Sequence, residues 1–230
     1  AQLSIMDSEH VEQPALSSSP RTQLRQHVTF FGIWFVAAVL VLSPGVLAIN
    51  QRLIGADNVD VWNHAWGYWY VAQALSNGQW PFHTELVGHP IGGSLYFIDT
   101  PAAFLMSPLT WAFGPAVSYN LMLILRLTLV AFGTQLFTKC LSGRGPHTWL
   151  AGLAMLTSPF LLCELTNGIS EVCGLGAVAM LCWSMARTWK EPRWSNWALV
   201  GLFQGLATCA TFYYGLITAL LCVLFCVGWI

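Results

Sequence analysis

The chain has 230 residues, 56% of them hydrophobic and only 8% charged, with a formal net charge of -1. A soluble domain carries about a quarter charged residues, so this composition, with a mean hydropathy of +0.59, excludes an ordinary water-soluble globule and indicates an all-α integral membrane protein. Its charges are segregated by loop rather than pooled, so the net charge is uninformative about nucleic acid; the expected partner is the lipid bilayer, with no nucleic acid.

Residues 1–26 are polar, contain Ser and Pro, and read as a flexible tail closed by Arg21 and Arg25. Residues 27–230 read as one polytopic membrane domain. A bilayer core needs about 20 apolar residues of helix, and a first run of that kind falls at about 28–49. No small-residue cleavage site follows it, so it reads as a retained span rather than a signal peptide. Residues 50–115 form a long aromatic loop punctuated by turn signals (SNG, WP, HPIGG, GP). Within it, 61–75 and 101–113 have helical character but are too short to span, which predicts in-plane helices. Further spans are predicted at about 116–138, 147–163, 172–188, 195–211 and 215–230, for six in all. The last apolar run has no polar loop or basic residue to close it, so the chain is expected to be part of a longer one. The seven cysteines form no metal-type pair and read as small hydrophobes with free thiols.

Sidedness follows from Lys and Arg, which favour the cytoplasmic side of short loops. Arg21, Arg25, Lys139, Arg144, Arg187, Lys190 and Arg193 flank one side, whereas Arg52 lies opposite and Arg126 within a span. Asp57, Asp60, Glu85, Asp99, Glu164 and Glu171 fall on the far side. The tail is therefore expected in the cytoplasm, with the 50–115 loop and the 164–171 loop facing outward.

Two features stand out as candidates for chemistry. The stretch GADNVDVWNHAWGYWY at 55–70 places Asp57, Asp60 and His64 among Trp62, Trp66 and Trp69 on the outer side. An aromatic belt accounts for the Trp residues but not for the acids or His64. Carboxylates beside indoles suit a sugar or a lipid-phosphate site, with the acid accepting from hydroxyls or acting as base and the rings stacking on the sugar; a solvated outward loop with two incidental acids is the competing reading. Arg126 lies about ten residues into a span, where a charge costs about 2.5–3.5 kcal/mol on insertion scales. It is expected to pair with an outward acid such as Glu164 or Glu171, or to hold a lipid-linked phosphate. His83, Glu85 and His89 lack ordered ligand spacing, so no metal site is predicted there, and the sequence does not identify a cofactor.

The order of these features resembles a known family. A first span is followed by Gly55-Ala56-Asp57 and a Trp-rich helix, then by the Trp80-Pro81-Phe82 turn. HPIGGSL (89–95), SPLTWAFGPAVSYNL (107–121) and SPFLLCELTNGISE (158–171) come after. Over about residues 28–190 this resembles the N-terminal half of GT-C-type multi-span bacterial membrane glycosyltransferases. The resemblance implies Asp57 as the family's first-loop carboxylate, a catalytic base or a metal-linked group, with Asp60 as the nearby alternative, and a polyprenyl-phosphate-linked sugar as donor. His64, Trp62, Trp66, Arg126 and Glu164 would bind substrate. It also implies residence in the bacterial inner membrane and transfer on its outer face. Those enzymes have more spans and often a soluble C-terminal domain, which keeps a second expectation open. The chain would then be a non-catalytic accessory subunit that packs against other membrane subunits.

Overall fold

The computed structural model describes residues 20–43, 45–57, 59–94 and 100–229. Of the described residues, 79% are helical. The helices are α1 (Pro20–Val41), α2 (Val59–Ser76), α3 (Thr100–Phe113), α4 (Pro115–Ser142), α5 (Pro146–Leu156), α6 (Pro159–Thr166), α7 (Leu175–Lys190), α8 (Trp194–Ala210) and α9 (Phe212–Trp229). Short 3-10 turns at Gly45–Ala48 and Ser170–Gly174 lead out of α1 and into α7. A two-stranded hairpin, β1 (His83–Thr84) against β2 (Gly93–Ser94), joins α2 to the segment before α3.

Four helical segments are long and apolar enough to cross a bilayer: Arg21–Val41, Pro115–Ser142, Pro146–Thr166 and Ser170–Lys190. The remaining two expected spans, α8 and α9, have 17 and 18 residues. At 1.5 Å per residue they reach about 26–27 Å, just short of a typical core. The two helices expected within the 50–115 loop, at 61–75 and 101–113, correspond to α2 and α3, neither of which is among the spanning segments. The third span is broken rather than continuous. Pro159 has no N–H to donate and disfavours helical geometry at Ser158, so α5 stops and α6 starts afresh. Residues 1–19 of the expected tail lie outside the described residues, as does Asp99, while residues 20–26 are helical and extend α1.

α4 is the central helix, buried along most of its length and packed by α1, α2, α3, α5 and α7. Glycines let it approach α7 closely. A Cβ on Gly133 would lie 3.0 Å from Ala179 Cβ, and one on Gly176 2.9 Å from the Arg126 carbonyl and Leu129 Cβ, the small-residue contact common between membrane helices. The outer faces of α1 and α9 are lined by exposed Val, Leu, Ile and Phe, as lipid-facing surfaces require. Three cysteines, Cys163, Cys209 and Cys226, are exposed rather than buried, whereas Cys173 is in the core. All seven are free thiols.

Contacts settle which loops share an end. Asn120 near the start of α4 bonds to the loop after α1, and the Ala56 amide donates to the Thr166 carbonyl at 2.7 Å. The 49–57 loop, the start of α4 and the 164–171 turn therefore meet at one end, with Asp57, Asp60, Glu164 and Glu171. At the opposite end Lys190 Nζ donates to the Cys140 carbonyl, and Lys139 sits 5.6 Å from the Phe30 ring centre. There the N-terminal part of α1, the end of α4 and the end of α7 come together, carrying most of the positive charge.

Candidate functional site

The Asp57 loop is locked from two directions. Asn120, 0% exposed, donates from Nδ2 to the carbonyls of Ile49 (2.8 Å) and Arg52 (2.7 Å) and accepts from the Ile54 amide (2.8 Å). On the other side Gly55 presses against the turn after α6. Its φ is +124°, and a Cβ there would lie 3.2 Å from Gly168 Cα, the Leu165 carbonyl and the Val61 side chain. Only glycine takes that backbone readily and leaves room for the approach.

Asp57 follows directly. Trp62 Nε1, one turn into α2, donates to Asp57 Oδ1 at 2.5 Å. That bond orients the carboxylate, whose second oxygen lies across the group from the indole. Asp57, Trp62 and Arg52 together line a cavity of about 410 Å³, walled also by Gly55, Val61 and Pro115. Trp62 is 59% exposed, so its ring is open to a ligand rather than consumed by the core. A carboxylate, a guanidinium and an indole in one cleft can accept hydroxyl hydrogens, bind a phosphate and stack on an apolar sugar face.

A second polar cluster lies deeper at the same end. His64 on α2 is buried, and its Nε2 is 3.2 Å from Glu171 Oε1. The other Glu171 oxygen and the Tyr119 hydroxyl are buried without a hydrogen bond of ordinary geometry, although Ser170 lies close to Tyr119. Tyr68 packs edge-on against Tyr119 with ring centres 6.2 Å apart, and its burial pushes the phenol well above its usual pKa. Arg126 is an electrostatic neighbour of both Tyr68 and Glu171. It lines a separate cavity of about 190 Å³ with Cys173, Gly174 and Gly176. Glu171, one of the two acids expected near Arg126, is thus an electrostatic neighbour.

The other expected residues are dispersed. Asp60 is half-buried in the first turn of α2, where a carboxylate complements the helix dipole, and it does not line the Asp57 cavity. Trp66 is half-buried and stacks on Tyr70 at 5.2 Å with planes 7° apart. Glu164 on α6 is also outside the cavity lining and has Tyr213 as an electrostatic neighbour. Among the described residues no three His, Cys, Asp or Glu side chains are grouped as a metal site.

Sequence reasoning passed over Asn120 and Arg52. The signal for Asn120 was a lone amide at the start of an apolar span, the same kind of anomaly that marked Arg126. Arg52 was visible as the one basic residue in an otherwise acidic outward region. No family model, curated protein or solved structure matches the chain.

Proposed function

We propose that the protein is a GT-C-like membrane glycosyltransferase, or part of one, that transfers a sugar from a polyprenyl-phosphate donor on the outer face of a bacterial inner membrane. The observation that carries the reading is the meeting of Asp57, Trp62 and Arg52 in one cavity, on a loop that Asn120 holds fixed. By the preference of basic loops for the cytoplasm, the cavity end faces outward and the N-terminus inward.

In this mechanism the acceptor hydroxyl oxygen attacks the anomeric carbon while Asp57 takes its proton. The carbon–oxygen bond to phosphate breaks, and the polyprenyl phosphate leaves with the electron pair. Arg52 balances the charge that develops on the leaving phosphate, and the Trp62 indole both aims the carboxylate and stacks on the sugar. His64, Glu171 and Arg126 form a separate cluster at the same end and line no part of this cavity.

The test is transfer of radiolabelled sugar from a polyprenyl-phosphate donor in reconstituted vesicles. Asp57→Asn is expected to reduce kcat by about 10²–10⁴-fold, the usual contribution of a positioned base, with the fold intact. Undiminished transfer by Asp57→Asn sinks the assignment. A subunit role predicts instead that the chain shows no transfer of its own, and that Asp57→Asn leaves assembly with partner subunits unchanged.

A further inference from the structure

A further cavity lies at the opposite, basic end and has no part in the proposed transfer. It measures about 610 Å³ and is enclosed by α1, the end of α4 and the start of α5. Lys139 and Arg144 line it, close enough to repel one another, and neither forms an ion pair with an acid among the described residues. Two cations held together without an anion favour binding one.

The rest of the lining is largely apolar, with Phe30, Trp149, Leu150 and Pro146, and Lys139 sits over the Phe30 ring. Gln135 adds a further observation. It is 1% exposed, and its Oε1 accepts from Trp34 Nε1 at 2.8 Å. Its side chain lines the cavity, and the amide NH₂ has no hydrogen-bond acceptor among the described residues. Cations, an amide donor and an aromatic wall at the membrane-proximal basic end are the features of an anionic lipid headgroup site.

We propose that this cavity binds the phosphate headgroup of one anionic phospholipid of the leaflet at the basic end. Lys139, Arg144 and the Gln135 amide would contact the phosphate, and Phe30 and Trp149 would flank the glycerol and upper acyl chain. The proposal does not depend on the transferase reading.

Native mass spectrometry of the full chain in detergent, titrated with phosphatidylglycerol and separately with phosphatidylcholine, tests it. One phosphatidylglycerol per chain is expected to bind at least about tenfold more tightly than phosphatidylcholine. Lys139→Gln with Arg144→Gln should remove that preference. Arg187→Gln with Arg193→Gln, which removes equal charge at the same end but outside the cavity, should change it less than twofold. Arg144 is exposed, so Arg144→Gln alone serves as a milder variant whose folding is secure, with a loss of at least about threefold expected. Equal losses from the two double variants would overturn the proposal in favour of unspecific attraction to a basic surface. Retained preference in Lys139→Gln with Arg144→Gln would also overturn it. Millimolar inorganic phosphate should not displace the lipid; displacement would mean a free-anion site rather than a lipid site.

Discussion

Replacing Asn120 by Leu tests whether the Asp57 loop is held by the buried amide. The substitution keeps the branched outline of the side chain and removes three hydrogen bonds, leaving the Ile54 amide and the Ile49 and Arg52 carbonyls without their partner. At about 1 kcal/mol net per bond the loss would be about 3 kcal/mol. At the lower average of about 0.6 measured for bonds between membrane helices it would be about 2 kcal/mol. Because the bonds join one loop to α4, the loss is expected as local opening first. Hydrogen exchange in a peptide spanning residues 49–57 should accelerate about 30- to 150-fold, since each 1.4 kcal/mol is a factor of ten. Exchange in the centre of α4 should change far less. Acceleration below about fivefold at residues 49–57 would refute the reasoning, because it would mean that the Gly55–Gly168 contact and the Ala56–Thr166 bond hold the loop unaided.

Three further expectations use the same folded protein. His64→Phe and Glu171→Leu should each destabilise it in detergent unfolding followed by Trp fluorescence, while the double variant loses less than their sum by about 1 kcal/mol or more; additivity within about 0.3 kcal/mol would mean that the 3.2 Å contact carries no energy. Gly176→Val, whose Cβ would strike the Arg126 carbonyl and Leu129, should lose about 1–3 kcal/mol, whereas Gly32→Val, with nothing within 4 Å, serves as the near-neutral control, and equal effects would count against close α4–α7 packing. The two lysines, Lys139 and Lys190, both sit at the basic end, so a membrane-impermeant amine reagent should label Lys190 in inside-out vesicles and spare it in right-side-out ones, and the reverse pattern would invert the proposed orientation.

Much of the architecture is legible in the sequence because a bilayer imposes simple constraints. Apolar length marks α1, α4 and the paired segments α5–α6 and Ser170–Lys190 as spans. The clustering of Lys and Arg anticipates the two ends that the packing later brings together. Breaks are harder to see. Pro159 lies inside an apolar run, and its cost is met because the freed backbone groups find local partners: Thr157 and Ser158 amides bond back to the Leu153 and Met155 carbonyls. The partner of His64 was not legible either. Glu171 is 107 positions away, and only the packing of the turn before α7 against α2 brings the two within 3.2 Å.

The aromatic stretch after the first span shows why residue type alone did not assign roles. Asp57 and Asp60 are three residues apart and chemically identical, yet the backbone separates them. Gly55 and Asn120 fix the chain so that Asp57 enters the cavity just before α2 begins. Asp60 is then carried into the first turn of that helix, where it complements the dipole. The tryptophans divide in the same way. Trp66 is drawn inward to stack on Tyr70, and Trp62 stays at the surface because its indole N–H is bonded to Asp57 rather than to a core group. The helical period places Trp62, Trp66 and Trp69 along one side, but the start of α2 decides which of them meets the carboxylate. Anything that shifts that start by one residue rotates Trp62 by about 100° and takes the donor away from Asp57. The lock on the 49–57 loop is therefore part of the site itself, and Asn120, which lines no part of the cavity, is the residue through which α4 positions Asp57.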